Sequence, residues 1–191
     1  MRPGSPVMRT LLCTVAVLSM AACSSAPPPA APAPPAPVST AQQAVAVLAS
    51  ASGSRVSGKL TLVPMSDGVH ILGEVGGLQP DGHFGFHVHE KGDCSAVDAS
   101  SAGGHFNPQG TPHGRASGSS HHAGDMDNLV SNGSGVALVN VHLRGVTLGG
   151  GAFNDIANRA VIVHADPDDY LSQPAGNAGA RVACGLIRVT R

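Results

Sequence analysis

The stretch Phe84-Gly85-Phe86-His87-Val88-His89-Glu90 is the part of the chain around which the rest is organised. It predicts a β-strand with histidines at positions i and i+2. Side chains two residues apart on a strand project from the same face, so His87 and His89 should point in the same direction. Many such pairs are ordinary surface histidines, and the meaning of this one depends on the residues that follow.

Five further side chains downstream have the chemistry of metal ligands. They are His105, His113, His122, Asp125 and His164. Imidazole suits copper and zinc, and a carboxylate adds compensating negative charge. With His87 and His89, the set is large enough for two metal ions that share one ligand.

The N-terminus has the pattern of a targeting segment. Arg2 and Arg9 form a short basic region before an apolar run from Leu11 to Met20. This run is too short to span a bilayer and predicts a secretory signal peptide over residues 1–22, with Met8 as an alternative start. We therefore expect an exported protein of the periplasm or cell envelope.

The end of this signal resembles a bacterial lipobox, Met20-Ala21-Ala22-Cys23, in which Cys23 would carry the lipid. An ordinary signal peptide cleaved nearby is the alternative. Residues 23–42 then comprise the lipobox cysteine and a Pro- and Ala-rich tether, which should be extended because it has no residues for a core. The folded domain is predicted over residues 43–191, held to a membrane only through the lipid.

The composition of that domain favours β-structure. Aromatic residues make up 3% of the chain, 25 residues are glycine, and short alternating runs are separated by turn signals. Besides the His87 strand, strands are predicted at 43–49, 56–64, 69–75, 136–143, 160–163 and 181–189. Two long segments without periodicity, 90–132 and 166–180, are predicted as loops, and the first is expected to be ordered by metal. The formal net charge of −1 argues against a broad nucleic-acid surface.

Several long strings identify a family. They are Phe84 to Glu90, Gly92-Asp93-Cys94, Gly104-His105-Phe106-Asn107-Pro108, His113-Gly114, His121-His122-Ala123-Gly124-Asp125, His164-Ala165-Asp166 and Gly176 to Gly185. Over nearly all of residues 43–190 the chain resembles the copper/zinc superoxide dismutases. The resemblance implies an all-β fold, a flattened eight-stranded antiparallel Greek-key β-barrel or sandwich with two long functional loops.

The resemblance also implies a role for each site residue. Copper would be bound by His87, His89, His105 and His164. Zinc would be bound by His105, His113, His122 and Asp125, with His105 bridging both ions. Asp168 would link a copper histidine to a zinc histidine, Arg181 would guide the substrate, and Cys94 would form a disulfide with Cys184. The remaining histidines are predicted to lie outside the site: His70, His83, His121 and His142.

The implied reaction is dismutation of two superoxide anions to oxygen and hydrogen peroxide, with copper cycling between Cu(II) and Cu(I). Two other interpretations stay open at this stage. One is a non-catalytic copper-binding or copper-delivery module on the same fold, and the other is a copper-only enzyme whose zinc ligands are relics. A complete ligand set together with Arg181 favours the enzyme that uses both metals. The sequence leaves the oligomeric state, monomer or homodimer, undecided.

Overall fold

The computed structural model describes Met1 and residues 36–191. The predicted signal peptide, Cys23 and most of the tether lie outside these residues. In the described part of the chain no helix has the length and apolar character needed to cross a membrane. The strands there are β1 Ala44–Ser50, β2 Ser57–Met65, β3 Gly68–Gly76, β4 His83–Phe84, β5 Phe86–His89, β6 Leu129–Val130, β7 Ala137–Arg144, β8 Ala160–His164 and β9 Arg181–Val189.

Seven of these strands form one antiparallel sheet in the order β5-β8-β9-β1-β2-β3-β7. The chain crosses from β3, near one edge, to β5 at the opposite edge, which is a Greek-key connection. β4 continues the line of β5 and pairs with β6, which lies beside β7 at the other edge. The sheet therefore curls back towards itself, and the all-β antiparallel prediction is confirmed.

The core follows the period-2 alternation of the strands. On β3, which covers the strand predicted at 69–75, Val69, Ile71 and Val75 are fully buried. Leu60 and Leu62 of β2 are also fully buried, each opposite a β3 residue in the antiparallel register. Each side chain of this size contributes roughly 1.5–3 kcal/mol when removed from water. The inner face of the sheet is therefore the hydrophobic core.

The strand that contains His87 is interrupted at Gly85. The sequence predicts one continuous strand, whereas the structure divides it into β4 and β5. The backbone of Gly85 bonds the end of β8 and the loop that follows it, donating to Asp166 O and accepting from the N–H of His164, both at 2.8 Å. When β4 and β5 are taken as one interrupted strand, the described chain has eight strands, the number that the resemblance implies, with β6 outside the strand ranges predicted from the sequence.

Cys94 and Cys184 form a disulfide, as predicted. It joins the first long loop to β9 across a sequence separation of 90 residues. The segment between Cys94 and Ala102 is thereby held against the end of the sheet where β9 begins. This attachment matters for the site because β9 starts with Arg181.

Candidate metal centre

The free edge of β5 brings the first long loop to His87 and His89. Isolated β-bridges pair His87 with Asp125 and His89 with His105. Between them the N–H of Val88 donates to Gly124 O at 2.9 Å. The loop therefore lies along β5 as additional extended backbone, and this pairing places its ligand candidates beside the two strand histidines.

The structure assembles the seven candidate ligands into two groups that share one residue. Within each group the ligand atoms lie within 4.8 Å of one another, and every member is buried. The first group, called the copper group here, is His87, His89, His105 and His164. The second, the zinc group, is His105, His113, His122 and Asp125. His105 is the shared member.

Asp168 joins the two groups. Its Oδ2 accepts from Nε2 of His87 at 2.7 Å, and its Oδ1 accepts from Nε2 of His113 at 2.9 Å. Each ring therefore carries its proton on Nε2 and presents a lone pair on Nδ1. Asn128 holds Asp168 in turn, donating to its carbonyl at 2.9 Å and accepting from its N–H at 2.8 Å.

Backbone carbonyls orient two more histidines of the copper group. Nδ1 of His89 donates to Gly103 O at 2.9 Å, and Nδ1 of His164 donates to Gly179 O at 3.3 Å. With both protons on Nδ1, each Nε2 carries a lone pair, and the two Nε2 atoms are only 3.4 Å apart. Two lone pairs that face each other at this distance are arranged to share a cation.

Five buried ring nitrogens in the described structure have no hydrogen-bond partner. One, His142 Nε2, lies outside both groups and 2.9 Å from Oδ1 of Asp67. The other four all belong to these groups. They are His87 Nδ1, His105 Nε2, His113 Nδ1 and His122 Nδ1. An unsatisfied buried polar atom is costly, so such a cluster requires an explanation. Metal ions provide one, because each orphaned nitrogen belongs to a set of four donors suited to copper or zinc. The residues present therefore fit both metals.

The two nitrogens of His105 face different groups. Nδ1 lies 2.8 Å from Oδ1 of Asp125, while Nε2 is one of the orphaned atoms. Oδ2 of Asp125 accepts backbone N–H bonds from His122 at 2.8 Å and from Gly114 at 3.2 Å. The carboxylate is thus fixed by the main chain of the loop, and it fixes the ring of His105.

Burial keeps three copper-group imidazoles neutral, which is the form that binds metal. It lowers the pKa of His89 well below its usual value, that of His105 to about 4 and that of His164 to about 3. In the zinc group, burial would lower the pKa of His113, but the carboxylates of Asp125, 3.0 Å from Nδ1, and Asp168, 2.9 Å from Nε2, outweigh it and raise the pKa to about 9. The two carboxylates therefore favour positive charge beside His113, which a metal ion would supply.

Asp125 remains ionised despite its burial. Burial raises its pKa, but the histidine rings beside it and the backbone N–H of His122 outweigh that effect and hold the pKa well below the usual range. A carboxylate that is charged at neutral pH and has no surface exposure needs positive charge beside it. A divalent ion in the zinc group would supply it.

Arg181 lies beside the copper group at the start of β9. Its Nη1 donates to Ala99 O at 2.7 Å, and its Nη2 donates to Gly103 O at 2.6 Å. Gly103 O also accepts from His89, so the guanidinium and a copper-group ring share one acceptor. Burial lowers the pKa of Arg181, yet a guanidinium stays charged at any physiological pH. Its position beside the copper group is suited to binding a small anion.

The other four histidines lie outside both groups. His70 bonds Asn140 on the outer face of β7, and His142 lies 2.9 Å from Asp67. The ring of His121 bonds the carbonyl of its neighbour His122, and His83 is exposed at the start of β4. None of these rings is a member of either group in the described residues.

Comparison with known proteins places the chain in a family. The family model of copper/zinc superoxide dismutase (SODC) matches residues 56–187. A curated relative, "Superoxide dismutase [Cu-Zn] 2" of Aquifex aeolicus (strain VF5), is 42% identical over 149 residues, which cover 76% of this chain and 86% of the relative. The chain belongs to the copper/zinc superoxide dismutase family. A second protein of that organism, "Superoxide dismutase [Cu-Zn] 1", is 40% identical over 146 residues, covering 75% of this chain and 86% of the relative.

Solved structures agree with this membership of the copper/zinc superoxide dismutase family. A SOD-like protein from Bacillus subtilis is 35% identical with a TM-score of 0.67, covering 74% of this chain and 95% of its own. The clock protein EA4 is 37% identical with a TM-score of 0.70, covering 81% of this chain and 99% of its own. The predicted family, the two metals and the oxidoreductase class are confirmed.

Some residues around the metal groups were missed by sequence reasoning. Asn128 was not singled out, and nothing in its local sequence marks it, because its role depends on Asp168 forty residues away. Gly103 matters only through its carbonyl oxygen, which every residue possesses. Such contacts are decided by where the loops meet, which local sequence patterns do not report.

Proposed function

We propose that this protein catalyses the dismutation of superoxide. Two superoxide anions and two protons become one molecule of oxygen and one of hydrogen peroxide, with one anion losing an electron and the other gaining it. The observation that carries the proposal is the shared residue: His105 belongs to both ligand groups and presents an orphaned nitrogen to the copper group. Copper, when bound, would supply the one-electron couple, and zinc would supply redox-inert positive charge.

His105 is positioned to hold and return a proton. Its Nδ1 is fixed beside Asp125, and its Nε2 is free of protein partners. A proton carried on Nε2 would lie at the centre of the site and could be delivered to the product peroxide. Burial lowers the pKa of the ring to about 4, which favours release of such a proton.

Arg181 would bind and orient the substrate anion. A guanidinium has five N–H donors in a fixed plane, and the two hydrogen bonds to Ala99 and Gly103 leave others to receive superoxide. Because the protein is near neutral overall, attraction of an anion depends on charge that is concentrated at this position. Lys91, two residues after His89, is exposed and would add to the attraction.

The activity test combines metal analysis with turnover. The metal-loaded protein should contain copper and zinc and should dismutate superoxide, and H105A should lose most of this activity. H83A removes an exposed histidine outside both groups and is the matched control. Metal binding without turnover by the wild type would overturn the proposal and favour a non-catalytic copper-binding module. Turnover with copper alone would favour the copper-only enzyme.

We further propose that the enzyme acts in the cell envelope, attached to a membrane by a lipid at Cys23 and protecting that compartment from superoxide. The proposal is supported by the basic and apolar pattern of residues 1–22 and by the lipobox-like string before Cys23. A disulfide is typical of proteins that leave the cytoplasm. Metabolic labelling with a radioactive fatty acid should mark the wild type and not C23S. Equal labelling of both proteins, or none of either, would contradict the anchor.

A further inference from the structure

His113 is attached to the second long loop by its main chain as well as by its ring. Its N–H donates to Oε1 of Gln173 at 2.9 Å, and its carbonyl accepts from Nε2 of the same side chain at 2.9 Å. The amide of Gln173 therefore pairs with the peptide groups of His113 much as neighbouring strands pair. The ring is held by Asp168, which belongs to the same loop.

These contacts leave one polar atom of His113 without a hydrogen bond. The backbone N–H and carbonyl are bound to Gln173, and Nε2 is bound to Asp168. The remaining atom, Nδ1, is buried without a hydrogen-bond partner and lies 3.0 Å from Oδ2 of Asp125. The position of this nitrogen is therefore determined by two side chains of the second loop: Asp168 holds the ring, and Gln173 holds the main chain.

The contact with Gln173 concerns the zinc group alone. His113 is a member of the zinc group and not of the copper group. Among the described residues, the one other hydrogen bond of the Gln173 side chain stays within its own loop, a longer contact of 3.3 Å to Leu171 O. Removing the amide should loosen His113 while the four copper-group histidines keep their own partners.

We propose that Gln173 is a positioning residue that holds His113 in the geometry required by zinc and so slows zinc release. The inference rests on the proposed assignment of the His113 group to zinc. Two neutral hydrogen bonds of ordinary strength correspond to a change of roughly 10- to 100-fold in an equilibrium or rate constant.

The test follows zinc release from the metal-loaded full-length protein into a chromophoric chelator, with copper content measured in the same samples. The variants are Q173A, which removes both hydrogen bonds, and Q173E, which keeps an acceptor for the His113 N–H and loses the donor. S172A is the matched control, because the Ser172 hydroxyl bonds Asp169 at 2.6 Å in the same loop. Cobalt substituted for zinc reports the ligand geometry through its visible absorption.

We expect Q173A to release zinc about 10- to 100-fold faster with an altered cobalt spectrum, and Q173E to fall between it and the wild type. Copper content should stay unchanged, and S172A should release zinc at the wild-type rate. Equal zinc release by Q173A and wild type would overturn the proposal, and so would equally fast release by S172A. If Q173A fails to fold, zinc release by Q173E at the wild-type rate would likewise overturn the proposal. Failure of the wild type to dismutate superoxide would refute the proposed function while leaving this comparison decisive.

Discussion

Gly85→Ala should destabilise the fold and weaken the copper group together. A Cβ at this position would lie 2.7 Å from Cβ of Ala178, 3.2 Å from Cε1 of His87 and 3.3 Å from Cβ of His164. The backbone cannot easily retreat, because it is bonded on both sides, to Asp166 and to His164. Overpacking of this kind costs about 1–3 kcal/mol. Urea unfolding of the metal-free protein should show a loss of that size in the free energy of unfolding.

Copper affinity should fall more than zinc affinity in this variant, because His87 and His164 belong to the copper group and not to the zinc group. Gly104→Ala is the matched control: it lies next to His105, and a Cβ there would have no neighbour within 4 Å. It should leave the free energy of unfolding within about 0.5 kcal/mol of the wild type or raise it slightly. The reasoning is refuted if Gly85→Ala is as stable as the wild type, or if Gly104→Ala is equally damaging.

Three other predictions concern charge, the disulfide and pH. Arg181→Gln should lower the superoxide turnover rate at least several-fold and flatten its dependence on ionic strength, while copper content stays unchanged; unchanged turnover would exclude the guiding role. Cys94→Ala should lower the free energy of unfolding by about 4 kcal/mol in urea, and a reductant should have the same effect on the wild type. In the metal-free protein, the pKa values of His105, about 4, and His164, about 3, lie below the ordinary value of about 6.5. As the pH falls, these two histidines therefore become protonated in the unfolded state before they do in the folded state. The midpoint of urea unfolding should be retained near pH 7 and should fall as the pH drops from about 6.5 towards 4. His113, whose pKa is raised to about 9, stabilises the fold fully below about pH 6.5 and loses this contribution as the pH rises towards 9. A midpoint that rises as the pH drops from about 6.5 to 4 would contradict the assignment.

A non-catalytic copper carrier and an enzyme differ in whether they require Arg181. A copper carrier has no need of a guanidinium held beside the metal ligands, whereas an enzyme that binds an anion does. The structure places this guanidinium on two carbonyls of the first long loop, one of which also orients His89. The arrangement joins the guanidinium to the copper group through Gly103, and the turnover of Arg181→Gln tests the proposed role of this guanidinium in binding the substrate.

Much of the fold could be predicted because its determinants are local. Alternation on β3 placed Val69, Ile71 and Val75 on one face, and the structure buries all three. The last strand has the predicted bounds, Arg181–Val189. The short strand β6 was missed, since two residues paired with β4 leave no period to detect. The interruption at Gly85 was missed as well, because the backbone partners of Gly85, Asp166 and His164, are distant in the chain.

The sequence by itself determined the types and order of the candidate ligands, the phase of the strands and the family, since ligand chemistry and side-chain period are properties of neighbouring residues. Only the tertiary structure decided which nitrogen of each ring is free. That depends on partners distant in the chain, such as Asp168 for His87 and Gly179 O for His164. Backbone carbonyls occur at every residue and leave no mark in a sequence. His87 and His89 therefore join the copper group only because the tertiary structure brings the two long loops next to β5.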